Sequence, residues 1–283
     1  MAAAVESRLV GLADRETALH FLSRDAVANL FLLDLAARLG KPPAPGEART
    51  KIVAAWRDDQ IVGMAGLHPT VILDANAGEE AVDAFIPYLE QIEVGLVKSL
   101  VPTVDLLWRE FSARSSRRVI VDRIEIAYAL YEGDSKRIEP IAGGSARRAA
   151  NSDLDDLVVD ALESLREEGR PDPFMGDAEG FRRWVRGRVA RARVVEFAGR
   201  VAMVGYADVQ RQEGWLLQGI YTWPNRRKRG LASFGVSELC HEAFAAGANH
   251  VQLAVVEGNA AAQRLYERLG FRPFAKLRTI LFT

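Results

Sequence analysis

Apolar residues in the second half of the chain change their spacing from one segment to the next. Residues 215–218 form a short, mostly apolar run after Gly214, which is typical of a buried strand. Pro224 ends this strand because proline has no N–H group to offer a sheet. A helix is then predicted from apolar residues at helical spacing, which are Val236, Leu239, Cys240, Ala243 and Phe244.

The same patterns extend the order of elements on both sides of this strand and helix. Residues 251–255 predict another strand, and residues 259–269 predict another helix. Residues 193–209 predict a hairpin. A short strand is expected at 146–150, followed by helices over about 151–168 and 181–192. The second half therefore reads strand, two helices, an antiparallel meander, then strand, helix, strand, helix, strand.

The first half repeats this order loosely. Its predicted elements are helices within 15–39, a hairpin at 51–56 and 61–67, a helix near 79–91 that is interrupted or started afresh at Pro87, a strand near 93–97, a helix over 103–111 and a long strand over 118–130. A polar, glycine-rich segment over 132–145 follows. We therefore predict two domains, at 1–138 and 139–283.

The turn between residues 222 and 231 has the features of a phosphate-binding loop. Four basic residues over 226–229 precede Gly230, and a helix begins directly after it. The free N–H groups and the dipole of a helix N-terminus attract anions. Gly230 and Ala232 leave the backbone accessible. A solvated or nucleic-acid-binding patch is the alternative for such a basic run, but its place between a strand and a helix favours phosphate.

Two motifs in this half resemble those of the GNAT acyltransferases. Arg227-x-x-Gly230-x-Ala232 resembles the family's acetyl-CoA signature, Q/R-x-x-G-x-G/A. Residues 259–271 resemble its later motif, N-x-x-A-x-x-L-Y-x-x-x-G-F. The whole chain resembles bacterial tandem GNAT proteins with a degenerate first domain, because residues 95–102 lack the signature where that domain should carry it.

The resemblance implies a fold and a cofactor. The fold is α/β (α+β), with tandem GNAT-like domains, each a mixed, mostly antiparallel, twisted sheet flanked by helices. The cofactor is acetyl-CoA (CoA), held by domain 139–283 alone. Its pyrophosphate would lie on the backbone of 227–232, and its pantetheine would pair with a strand edge where the family fold parts two parallel strands. The expected cofactor-binding residues are Ile220, Tyr221, Thr222, Arg226, Arg227, Lys228, Arg229, Gly230, Leu231, Ala232, Ser233, Asn259 and Ala262.

The later motif also implies a role in chemistry. Tyr266 would be the general acid that protonates the departing thiolate, although a core position is the alternative for a tyrosine at this spacing. Asn259 would contact the cofactor, cap the helix that follows it, or do both. The general base is not evident from the sequence. Candidates on or beside the hairpin are Glu196, Asp208 and Glu213, each of which could equally be an ordinary surface carboxylate.

Composition narrows the remaining classes of protein. A chain of 283 residues is long enough for two domains, and its formal net charge of -1 gives no reason to expect nucleic acid or membrane partners. Cys240 is the single cysteine, which excludes an intramolecular disulfide and fits a reducing compartment. We find neither a signal peptide, a membrane-spanning run nor metal-ligand spacing, so we expect a cytoplasmic protein without a metal.

These observations predict an acetyl-CoA-dependent N-acetyltransferase. It would transfer an acyl group directly to a primary amine of a small molecule or peptide, because no activated Cys or Ser nucleophile is evident. The alternative is a non-catalytic CoA or acyl-CoA sensor, or an interaction module. The acceptor would lie against the loop 169–177 and the first helices of the second domain. A cationic amine could be attracted there by Glu167, Glu168, Asp172 and Asp177.

Overall fold

The computed structural model describes residues 4–283 and contains the predicted helices and strands in their order, together with two short strands, at 6–9 and 72–73, that the sequence did not predict. The first elements are β1 (Glu6–Leu9), α1 (Arg15–Ser23), α2 (Leu30–Ala37), β2 (Lys51–Arg57), β3 (Gln60–His68), β4 (Ile72–Leu73), α3 (Glu79–Leu89), β5 (Gly95–Leu100), α4 (Val101–Arg114) and β6 (Val119–Leu130). The later elements are β7 (Gly144–Arg148), α5 (Leu154–Glu167), α6 (Ala178–Arg188), β8 (Ala192–Phe197), β9 (Arg200–Gln210), β10 (Trp215–Thr222), α7 (Leu231–Ala245), β11 (Val251–Val256), α8 (Ala260–Leu269) and β12 (Arg272–Phe282).

The chain divides into two compact units. The first comprises the described residues through Pro43, Ala48–Ile126 and Ala275–Thr283, and the second comprises Ala44–Glu47 and Ala127–Phe274. The C-terminal end of the chain is thus part of the first unit. The domain limits 1–138 and 139–283 stay a prediction for how the chain divides in function.

The first unit has two sets of strands. Strands β1 to β4 form an antiparallel sheet in chain order, and β12 lies between β5 and β6. Both faces of β2 are buried: Ile52 packs in the cluster with α1 and α2, and Val53 packs in the cluster with α3 and α4. Strand β5 runs directly into α4, with a proline in its first turn and no glycine turn between them.

A buried charge network connects the three strands β5, β12 and β6. Glu125 is 3% exposed and accepts hydrogen bonds from Lys98 at 2.5 Å, Arg123 at 3.0 Å and Thr279 at 2.9 Å. Burial alone would raise the pKa of Glu125, but these neighbours lower it to about 2. The network therefore fixes the C-terminal strand in the first unit, a pairing that the sequence did not predict.

The second unit has the order expected from the sequence. Its strands lie in the order β11-β10-β9-β8-β7, in which β10 and β11 are parallel and the other neighbours are antiparallel. Alternate residues of β9 face opposite sides. Val204 and Tyr206 pack in the cluster with α5 and α6, whereas Gly205 lies against Leu239 of α7. The predicted α/β fold with mostly antiparallel sheets is confirmed.

Several element limits differ from the expectations. Helix α3 includes Pro87 without a break, and α6 begins at Ala178 and gives way to a 3₁₀ turn at Val189–Arg191. Asp177 explains the early start of α6, because its side chain accepts a hydrogen bond from the N–H of Gly180 and caps the helix. Across residues 4–283 the helices are too short or too polar to cross a lipid bilayer.

Replacing Glu125 with glutamine is expected to destabilise the first unit. The substitution keeps the shape but leaves Lys98 without its buried counter-charge, at a cost of about 3 kcal/mol in unfolding free energy at pH 7. Since the folded pKa lies below the unfolded one, the stabilisation by Glu125 is complete above pH about 4.5 and is lost as the pH falls towards 2. Urea unfolding at several pH values measures this difference.

The exposed Glu93→Gln is the matched control and is expected to leave the unfolding midpoint unchanged. A difference between Glu125→Gln and the wild type that stayed constant from pH 7 to pH 2 would contradict the assigned pKa.

Candidate functional site

Strands β10 and β11 separate soon after they begin. They pair at two positions, Trp215 with Val251 and Leu216 with Gln252, and no later residue of either strand pairs with the other within the described chain. Strand β10 nevertheless stays paired with β9 as far as Thr222. The later part of β10 thus has a neighbouring strand on one side and an opening on the other, where an extended ligand could add as a strand.

A β-bulge interrupts β10 at the start of this opening. Gln218 pairs with Tyr206 and Tyr221 pairs with Val204, so Gly219 and Ile220 together oppose a single residue of β9. Gly219 has φ +55°, and a side chain there would meet the ring of Tyr206 at 3.0 Å. The positive φ and this close approach favour glycine at the bulge, and the bulge changes the direction of the backbone beside the opening.

The basic loop follows β10, and helix α7 begins directly after this loop. Gly230 is its N-cap residue with φ +79°, and no side chain caps the helix. The first N–H groups of a helix have no partner inside the helix, so those of Leu231 and the next two residues are left for water or for an anion. The loop itself contains a 3₁₀ turn at Pro224–Arg226 and a left-handed residue, Lys228 (φ +61°).

The basic side chains of the loop have different partners. Arg227 donates to the backbone oxygen of Thr222 at 2.8 Å and to both carboxylate oxygens of Glu167 at 2.7 and 2.8 Å. The guanidinium groups of Arg226 and Arg229 lie 5.8 and 5.6 Å from the centroid of the same aromatic ring, that of Phe197. Neither these two nor Lys228 has an acidic partner in the part of the chain that the structure describes.

A comparison with known protein families gives a match in the second half of the chain. Residues 155–271 match the profile of the Acetyltransferase (GNAT) family, and this match contains the opening, the loop and both motifs. Residues 155–271 are a GNAT-family domain. No curated protein sequence matches the chain.

Solved structures extend the likeness over almost the whole chain. A tandem GNAT protein from the clavulanic acid biosynthesis pathway is 14% identical, with 98% of each chain covered and a TM-score of 0.60. A GCN5-related N-acetyltransferase from Sphaerobacter thermophilus is 14% identical, with 98% and 95% covered and a TM-score of 0.59. A Drosophila protein reaches a TM-score of 0.71 at 13% identity, with 97% and 98% covered. The tandem GNAT fold is confirmed.

Asn259 and Ala262, two residues of the GNAT domain that are expected to contact the cofactor, are hydrogen-bonded to each other. Asn259 is the N-cap residue of α8, and its side-chain oxygen accepts a hydrogen bond from the N–H of Ala262 at 3.2 Å. The capping role, one of the two considered for Asn259, is therefore present. Direct contact of Asn259 or Ala262 with a cofactor stays a prediction.

Tyr266 lies inside the GNAT domain. Its ring is 7% exposed and packs edge-on against Phe271 at a centroid distance of 5.8 Å, with Tyr128 at 6.4 Å. Its hydroxyl makes no hydrogen bond among residues 4–283. Burial, with Cys240 nearby, raises the pKa of Tyr266, so the phenol stays protonated at neutral pH.

The three candidate bases all pair with arginine. Glu196 accepts from Arg147 at 2.6 Å, and Glu213 accepts from Arg211 at 2.7 Å, which lowers the pKa of Glu213. Asp208 is 8% exposed and accepts from Arg188 at 2.7 Å. The lowered pKa makes Glu213 a weaker base, and the other two carboxylates are engaged by arginine, so this arrangement favours none of them.

Two further acidic residues of the domain were given no such role from the sequence. Asp160 of α5 is 1% exposed, and its Oδ1 has no hydrogen-bond partner. Burial raises the pKa of Asp160 well above its usual range, although Arg188 opposes the shift. Glu167, at the end of α5, accepts a hydrogen bond from the hydroxyl of Tyr221 at 3.2 Å, besides pairing with Arg227. The burial of Asp160 and the contacts of Glu167 depend on residues far away in the sequence, so neither leaves a local sequence signal.

Proposed function

We propose that this protein is an acetyl-CoA-dependent N-acetyltransferase, which acts on a primary amine through its second domain. The observation that carries the proposal is the parting of β10 and β11 after Leu216, with the uncapped start of α7 at the end of the same strand. A GNAT fold supports acyl transfer in general. A ligand that is peptide-like at one end and a phosphate anion at the other matches this pair of features.

Acetyl-CoA has both ends, and the chain offers groups for each. Backbone groups of Ile220 and Tyr221 would receive the pantetheine along the open edge. The helix N-terminus from Gly230 onward, with the basic loop 226–229, would hold the phosphates. Acetyl-CoA supplies an activated acetyl thioester, which is the source of the group transferred.

Tyr266 would act on the sulfur atom of CoA as it leaves the acetyl group. Its raised pKa keeps its proton available, but a free thiol has a pKa of about 8.5, so the phenol is the weaker acid of the two. We therefore expect it to donate a hydrogen bond to the departing sulfur, with at most partial proton transfer in the transition state. Cys240 is fully buried and burial raises the pKa of its thiol, which supports direct transfer without a cysteine intermediate.

One observation favours the alternative of a non-catalytic CoA or acyl-CoA sensor. All three carboxylates considered as the base are paired with arginine, so no free base stands out. Release of free thiol from acetyl-CoA, measured with a panel of primary amines, separates the two proposals. An enzyme produces thiol in proportion to the amine that is acetylated, whereas a sensor binds CoA and produces none.

Gly230→Asp is expected to remove CoA binding. It forces a left-handed backbone on a residue with a side chain and adds a negative charge at the helix N-terminus, where a phosphate would lie. Calorimetry should show the affinity for CoA falling by about two orders of magnitude.

Gly247→Asp is the matched control, since Gly247 also has positive φ, is exposed and lies just beyond the other end of α7. It should bind CoA as the wild type does. If folded Gly230→Asp protein bound CoA with unchanged affinity, the phosphates would have to lie elsewhere.

Tyr266→Phe tests the chemistry while preserving the ring and its packing. Loss of a general acid usually lowers the rate about 10²–10⁴-fold, and a thiolate leaves well unaided, so we expect the low end of that range. Affinity for CoA should change little. The measurement is acetyl transfer to the best amine of the panel, with CoA affinity determined in parallel.

Tyr128→Phe is the control, because Tyr128 is a buried neighbour whose hydroxyl donates to Glu267 at 3.2 Å. It should keep the wild-type rate. Equal rates for Tyr266→Phe and the wild type would remove Tyr266 from the mechanism.

A further inference from the structure

The arginine that opens the phosphate-loop signature is paired with an acid. Arg227 places its Nη2 at 2.7 and 2.8 Å from the two oxygens of Glu167, and its Nε donates to Thr222 at 2.8 Å. Its guanidinium also lies 5.3 Å from the ring centroid of Tyr221. The side chain is thus held against the end of β10 by its own partners.

The acid lies on the face opposite α7. Tyr221 pairs with Val204 of β9, and paired residues of antiparallel strands point to the same side of a sheet. Val204 packs with α5 and α6, so the side chain of Tyr221 and the carboxylate of Glu167 that it contacts are on that side. This is the side where we expect the acceptor, against the first helices of the domain.

The pair between Arg227 and Glu167 can be exchanged at little cost. Arg227 is 42% exposed and Glu167 45% exposed, and ion pairs with such access to water contribute little to stability. A guanidinium group can bind two phosphate oxygens at once, as it binds the two oxygens of a carboxylate. A pyrophosphate at the start of α7 would carry more charge than one carboxylate and would compete for the same group.

Tyr221 would hold Glu167 in place after such an exchange. Burial, together with the Glu167 carboxylate, raises the pKa of Tyr221 to about 12, so its hydroxyl keeps its proton and continues to donate to the carboxylate. Glu167 would then keep its position while losing its cation.

We propose that Arg227 is shared between Glu167 and the pyrophosphate of CoA, so that CoA binding uncovers Glu167 for a cationic acceptor. The inference rests on the proposed function and deepens it. Glu167 positions Arg227 in the free protein. Once CoA is bound, Glu167 selects for a positively charged acceptor. Because coupling between two ligands is reciprocal, the cationic acceptor binds more tightly to the CoA complex than to the free protein.

The test is calorimetric titration of the full chain with CoA. Glu167→Gln keeps the size of the side chain and its bond from Tyr221 but gives up the charge, so Arg227 is released and CoA should bind about three- to fivefold more tightly. Arg227→Ala should bind CoA about tenfold more weakly. In the Arg227→Ala background, Glu167→Gln should have no further effect.

Glu168→Gln is the matched control, since it removes the same charge one residue further along, from a side chain that accepts a hydrogen bond from Arg170 at 3.4 Å. It should leave CoA affinity unchanged, and Glu167→Ala should repeat the result of Glu167→Gln. A purely structural role for Glu167 predicts weaker CoA binding in Glu167→Gln, and that result, or an unchanged affinity, would overturn the sharing of Arg227. Absence of CoA binding in the wild type would instead overturn the proposed function and this inference together.

Discussion

The separation of β10 from β11 is the constraint on which the second half of the molecule depends. Strand β10 follows β9 as far as Thr222 while β11 leaves after Gln252, so one edge of β10 lacks a partner strand. Backbone N–H and C=O groups need hydrogen-bond partners, and such an edge therefore favours water or an extended, amide-containing ligand. The bulge at Gly219 and the helix start at Gly230 lie on the same stretch of chain and follow from its path.

Ion pairs between arginine and carboxylate side chains are frequent around the sheet of the second unit. Most arginines around the sheet of the second unit are tied to carboxylates, as in the contact of Arg193 with Glu242 at 2.7 Å. The basic loop has few such pairs, because three of its four cations have no acidic partner among the described residues and Arg227 has an exposed one. A charge that costs little to redirect is well suited to an incoming anion.

The sequence was most informative where the physical cause is local. Pro224 ends a strand, Gly230 starts a helix, and apolar spacing defines the elements between, so the order of the second half and its motifs could be predicted. The bulge at Gly219 could not, because it depends on the ring of Tyr206 across the sheet. Nor could the place of residues 275–283 in the first unit, which rests on Thr279 bonding to a distant glutamate.

The number of CoA molecules bound per chain tests the central claim most directly. Strand β5 enters α4 without a glycine turn, whereas β10 enters α7 through one, so within residues 4–283 only the second half has both parts of the proposed site. Isothermal titration of the 283-residue chain with CoA should therefore give a single class of sites and one CoA per chain. Two equivalent sites per chain, or no binding at millimolar CoA, would contradict the account.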